Sequence, residues 1–250
     1  MNVPIYLFAV SVGGDSVLRQ VWGKATIEGK AIIFVLAIFS IFAWSVMASK
    51  AMQMRRAKKM NRYFKAEFRS QKSVMSIYDR RVQVDGCPLF TTYQEGCTEL
   101  DSRLKAINGE GRSRHISLKA MEHVKRTLER AVADESLKLE SGLILLAIAV
   151  SGAPFLGLLG TVWGVMSAFS YVAILGTANL EALAPGVSAA LVTTVAGLLV
   201  AIPSMFGYNW LVHNLRVMTV ELDNFAQELV SKMETEFLRD DEHEWAAKTD

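Results

Sequence analysis

Charge is missing from long parts of this 250-residue chain, and that is its most informative lack. No Asp, Glu, Lys, Arg or His lies between Lys30 and Lys50. None lies from Ser141 to Leu180, and after Glu181 none follows until beyond Val212. A bilayer core about 30 Å thick needs about 20 apolar residues of helix. The first run just spans, and the other two are long enough to span and project. A soluble fold rarely keeps even one core helix uncharged over such a length. There are only two cysteines, Cys87 and Cys97, in the charged middle region and without neighbouring histidines. That excludes a disulfide scaffold and makes a poor metal site, so both read as packing residues. The histidines, His115, His123, His213 and His243, are too scattered for a metal cluster. There is no P-loop, no nucleophile–base pair and no internal repeat of spans, which argues against an enzyme or solute transporter. Met1 to Gly14 has no basic start, so a cleaved signal peptide is not expected; an interfacial segment is.

What is present is segregated. The net charge is +2 and the mean hydropathy +0.25. Just after the first apolar run come Arg55, Arg56, Lys58, Lys59, Arg62, Lys65, Arg69 and Lys72, opposed only by Glu67. The stretch from Tyr171 to Pro185 has no Lys or Arg. Positive charge marks the cytoplasmic side. The expected layout is therefore an outer interfacial segment (1–27), a first span (28–50), a cytoplasmic helical region (51–140), a second span (141–173), an outer turn (174–184), a third span (185–212) and a cytoplasmic acidic tail (213–250). Thiol labels at Ser11 and Asn179 should then need outer access, and Cys97 should react from inside. The basic stretch beside a span fits anionic lipid, and nucleic acid is not an expected partner.

No strand pattern appears, so the fold class is all-α. Met52 to Ile77 reads as a helix continuing the first span, Pro88 to Leu104 as a short helix between breaks at Asp85–Pro88 and Asn108–Gly111, and Ile116 to Glu140 as a charged helix running into the second span. Pro185 reads as the first turn of the third span. Leu222, Phe225, Leu229, Met233 and Phe237 suggest that this helix continues into the tail.

Small residues recur every three or four positions in the second run: Ala149, Gly152 or Ala153, Gly157, Gly160, Gly164 and Ala168. The third run repeats the device with Gly186, Ala190, Thr193, Thr194, Gly197 and Ala201. Such faces are built for close helix approach, and many membrane proteins use them only for that. Pro154 and Pro203 lie inside the spans and should loosen local hydrogen bonds. Hydroxyls on the same faces, Thr161 and Thr194, suggest more than packing; Thr193, about 100° further round, should face elsewhere and tolerate valine. A proton relay normally needs a titratable group inside the membrane. This chain has none there, so a partner must supply it or the chain only scaffolds.

Two segments carry a resemblance. Ala153-Pro-Phe-Leu-Gly-Leu-Leu-Gly-Thr-Val-Trp-Gly-Val-Met166 resembles the second-span signature of ExbB and TolQ, and Leu183-Ala-Pro-Gly-Val-Ser-Ala-Ala-Leu-Val-Thr-Thr-Val-Ala-Gly-Leu-Leu-Val-Ala-Ile-Pro203 resembles the third. Weaker likeness runs over most of residues 28–215. The resemblance implies a homopentamer around a pore, whose interfaces would use the glycine faces. It implies two copies of an ExbD/TolR-like single-span partner bearing an intramembrane Asp, and a TonB/TolA-like rod beyond it. It places the pore threonines at Thr161 and Thr194 and packing or assembly roles at Pro154, Gly157, Gly160, Gly164, Gly186, Ala190 and Gly197. No catalytic residue, metal or cofactor is implied. The implied role is a stator subunit of an ion-driven motor in the bacterial inner membrane, with the N-terminus outside. One departure is Ala189, where ExbB and TolQ usually carry Glu; it keeps open a scaffold of the same fold that conducts nothing.

Overall fold

Apolar residues at helical spacing, long uncharged runs and few breakers make helix the default along this chain, and the computed structural model bears this out. It describes residues 26–108, 115–176 and 180–238. Among them lie α1 (Ile27–Ser70), α2 (Ser76–Asp79), α3 (Pro88–Asn108), α4 (Leu118–Glu140), α5 (Leu143–Leu175) and α6 (Leu180–Phe237). The only β pairing among the described residues is an isolated parallel bridge, Ile116 to Leu238. Three helices, α1, α5 and α6, are long and apolar enough to cross a membrane. The chain divides into two units, one of Met1–Ala48 with Gly142–Asn209, the other of Ser49–Ser141 with Trp210–Asp250.

In the first unit Leu36, Ala153 and Ala201 form a small buried cluster, with Ile32, Leu156, Ala196 and Val200 packed on it. Large side chains point outward instead: Phe155 is 71% exposed and Leu199 69%. An apolar exterior around a core of small residues is the arrangement that lipid permits and water penalises.

The second unit has an ordinary water-soluble interior. Phe64, Phe68, Phe90, Tyr93 and Phe225 pack with ring centroids 5.2 to 6.3 Å apart, mostly edge-on or tilted, as ring quadrupoles prefer. α3 packs against α4. α4 starts because Ser117 is extended and its hydroxyl accepts from the Ala120 amide at 3.3 Å. Its buried stripe, Met121, Val124, Leu128, Ala131, Val132, Glu135 and Leu139, keeps the helical period.

Four expectations need correction. First, α1 stops at Ser70 and does not reach Ile77. Glu236 captures the Ser73 hydroxyl at 2.5 Å and the Val74 amide at 2.7 Å, and the Tyr93 hydroxyl donates to Val74 O at 2.6 Å and accepts from the Tyr78 amide at 2.9 Å. These partners come from α6 and α3 and outcompete the helical ladder. Second, α4 does not run into α5. Ser141 is extended and Gly142 takes φ +82°, a left-handed conformation that glycine adopts without a Cβ penalty. Lys50 Nζ donates to Leu139 O and to Ser141 Oγ, satisfying a carbonyl of the last turn. Third, α6 begins at Leu180, so Pro185 lies inside the helix and not in its first turn; Leu180 to Ala184 are all good helix formers, and they prepend more than a turn. Fourth, Cys97 and Cys87 are 0% and 1% exposed, so neither serves as a topology reporter. Burial also pushes the Cys87 thiol pKa up. The breaks expected at residues 109–111, the positions Ser11 and Asn179, and His243 lie outside the described residues.

Two measurements follow. Maleimide should leave both native cysteines unmodified in the folded protein and label them on denaturation, read by mass spectrometry; fast labelling of Cys97 without unfolding contradicts this packing. Tyr93→Phe strands the Val74 carbonyl and the Tyr78 amide. Leaving such groups unpaired costs about 1–3 kcal/mol. Amide exchange over residues 73–79 should accelerate accordingly, by roughly 5- to 150-fold.

Candidate functional site: the hydroxyl seam of α5 and α6

Glycine and alanine let the two charge-free helices meet at backbone distance. A Cβ built on Gly157 would lie 2.9 Å from Thr193 O and 3.0 Å from Thr194 Cα. One on Gly197 would lie 2.6 Å from Ala153 O and 3.2 Å from Gly157 Cα. Gly164 faces Ala190, at 2.6 Å to its Cβ, and Gly186 faces Ala168 at 2.8 Å. At Gly160 the added atom would collide with the Thr193 side chain. Pro154 stands on α5 beside this seam, half-buried. The small faces of the two helices are therefore closed on each other inside one chain. The expectation that they form the contact between subunits gives way at these positions, since a face that already touches backbone has no room for a neighbour.

Close approach brings three hydroxyls together. Thr193 Oγ1 lies 3.1 Å from Gly157 O and 2.6 Å from Ala190 O. Thr194 Oγ1 lies 3.2 Å from the same Gly157 O and 3.4 Å from Thr161 Oγ1. Thr161 Oγ1 lies 2.7 Å from Leu158 O. Each hydroxyl has one proton and two lone pairs, so it satisfies only one of these acceptors at a time. When Thr193 donates to Gly157 O, Thr194 is released to donate to Thr161 or to something else. The cluster can thus offer a proton or a lone pair without moving a helix.

Exposure separates the three. Thr193 is 1% exposed, sealed between the helices, whereas Thr161 and Thr194 are half-buried. The expectation that Thr193 faces away and tolerates valine is corrected. Its hydroxyl is the most tightly held of the three, because α5 crosses within contact of that side of α6. Sequence reasoning also missed Gly157 O as the shared acceptor; a backbone oxygen has no signature in the residue string. Ala189 is 7% exposed. Among the described residues no group of three or more His, Cys, Asp or Glu is placed to share a metal.

Comparisons with known proteins point the same way. The family model described as "MotA/TolQ/ExbB proton channel family" matches residues 99–224, which include the whole seam. The Tol-Pal system protein TolQ of Haemophilus influenzae is 33% identical over 214 residues, covering 83% of this chain and 90% of that protein. The biopolymer transport protein ExbB of Xanthomonas campestris pv. campestris is 43% identical over 113 residues, 45% of each chain. ExbB of Neisseria meningitidis is 31% identical over 198 residues, 79% of this chain and 88% of that one. The family's members are transport-energising channel proteins and not enzymes, and three long apolar helices fit such a protein. This chain, a multi-pass inner-membrane protein, belongs to the MotA/TolQ/ExbB proton channel family.

Proposed function

We propose that the chain is the pore-forming stator subunit of an ion-motive-force-driven motor, conducting H⁺ together with an ExbD/TolR-like partner to energise an envelope process. The observation that carries this is the pair of half-buried hydroxyls, Thr161 and Thr194, 3.4 Å apart on two membrane spans, 143–175 and 183–212, that hold no charge of their own. An ionised Asp in a membrane interior is costly and tends to be neutral. Hydroxyls that rotate between donor and acceptor lower that cost when a partner's Asp passes them. Five copies around two partner helices place the two Asp groups in unequal surroundings, so protonation alternates and drives rotation. One charge crossing about 100 mV supplies about 2.3 kcal/mol, so several protons per step suffice. The N-terminus lies outside, the charged helical unit and the tail inside, and a TonB/TolA-like rod takes up the work.

The test is proton flux in liposomes containing the chain with its co-purified single-span partner. Dye-reported flux that needs both proteins and the partner's Asp supports the reading. A stable complex that passes no protons leaves the non-conducting scaffold, which Ala189 also fits. Orientation is tested separately with Asn179→Cys and Ser102→Cys, the latter on an exposed α3 position. An impermeant maleimide should label the first from outside and the second only from inside; the reverse pattern inverts the layout.

A further inference from the structure

The water-facing part of α1 is basic on one side. Met54, Ala57, Asn61, Phe64 and Phe68 are its buried side. Arg55, Lys58, Lys59 and Arg62 are exposed. At about 100° per residue Arg55, Lys59 and Arg62 lie on the opposite side, and Lys58 flanks them. Among the described residues none of these four forms an ion pair.

Elsewhere in the same unit, α4 and α6 leave a groove of about 590 Å³ floored by Leu128, Val132 and Ala226. Its rim carries Glu129, Asp223 and Glu234 against a single cation, Lys125. Among the described residues these three carboxylates also lack ion-pair partners.

Height matches as well as charge. Phe64 packs on Phe225 at 5.8 Å and Arg69 pairs with Glu228 at 3.0 Å, so α1 and α6 run parallel in a fixed register that sets Arg62 level with Asp223. Lys50 on Leu139 O at one end of α4 and the Ile116–Leu238 bridge just before its other end set α4 antiparallel to α1 and α6, which brings Glu129 to the same level. A copy rotated about an axis along these helices keeps that level. Its Arg62 therefore meets the groove of the first copy with no shift along the axis.

We propose that the α4–α6 groove receives the basic α1 face of a second copy, with Arg62 seated between Glu129 and Asp223 of its neighbour. The two faces differ, so the contact is head-to-tail and repeats around a ring. This rests on the ring reading above and names the contact that closes it. Exposed charge pairs add little affinity by themselves, but like charges face to face oppose docking, so reversal is the sensitive probe.

The experiment uses the full chain with its partner, purified in detergent and sized by native mass spectrometry. Arg62→Glu and Asp223→Arg should each lower the ring fraction at least tenfold, and the double variant should recover it to within threefold. Helical content by circular dichroism should stay constant, since both positions are exposed. Two differently tagged copies, one with Arg62→Cys and the other with Asp223→Cys, should give a copper-phenanthroline cross-linked heterodimer; Cys87 and Cys97, buried, should not take part. A wild-type ring that neither cross-links nor responds to reversal overturns this contact and leaves the ring intact. Loss with Arg62→Glu that Asp223→Arg does not rescue also overturns it, since Arg62 then faces something other than the groove. A wild-type chain that is monomeric with its partner overturns the ring reading, and this contact with it.

Discussion

Gly197→Leu is expected to yield essentially no folded protein. The atoms that a side chain would meet there are the Ala153 carbonyl oxygen at 2.6 Å and the Gly157 Cα and N at 3.2 and 3.3 Å. They are backbone, so relief requires moving α5 bodily away from α6. Separation removes the Ala153–Ala201 cluster and parts Thr193 and Thr194 from Gly157 O in one step. Even Gly197→Ala should cost about 1–3 kcal/mol, the usual range for overpacking. That lowers the folded-to-unfolded ratio by roughly 5- to 150-fold. Gly160→Ala should also be costly, because the added atom meets the Cβ and Oγ1 of Thr193, a β-branched side chain sealed between the helices. Gly152→Ala is the control: nothing lies within 4 Å of its added Cβ. The measurement is monodisperse yield and thermal midpoint in one detergent. If Gly152→Ala and Gly197→Ala behave alike, the α5–α6 contact is not the one described.

Thr194→Val and Thr161→Val should keep assembly and lose flux. Valine preserves shape and removes the hydroxyl. Losing one polar contact to a transiently charged Asp costs about 1–3 kcal/mol, or about 5- to 150-fold in transfer rate. Membrane hydrogen bonds between helices average only about 0.6 kcal/mol, so neither change should dissolve the helix pair. Thr193→Val differs in kind. Its hydroxyl is sealed at 1% exposure and reaches nothing outside the chain. Removing it frees Gly157 O to accept wholly from Thr194, which then has no proton to offer elsewhere. Its flux should fall too, through Thr194, and Thr193→Ser should restore it. Flux and complex recovery for all four variants decide the matter. Normal conduction in Thr161→Val and Thr194→Val together reduces the hydroxyls to packing groups.

These expectations use two kinds of information. The three spans were legible in the residue string, because the cost of charge in a bilayer is set by residue type and run length alone. The small-residue faces were legible too, since a period of three to four residues is local. Which face meets which helix was not. Gly164 reads the same whether Ala190 of its own chain or another subunit lies opposite. The same limit hid the end of α1: nothing local distinguishes Gln71 to Ile77 from helix until Glu236 and Tyr93 arrive.

The sequence by itself determined the number of apolar helices, the segregation of charge around them and the family, each being a property of residues taken in order. Tertiary structure decided that Thr193 is sealed while Thr161 and Thr194 stay accessible, that one backbone oxygen serves two hydroxyls, and that α4 ends before α5 begins. Those outcomes depend on distances between residues tens of positions apart in the chain. Only packing sets such distances, because a hydrogen bond is made or lost within a few tenths of an ångström and no pattern along one helix specifies the position of another.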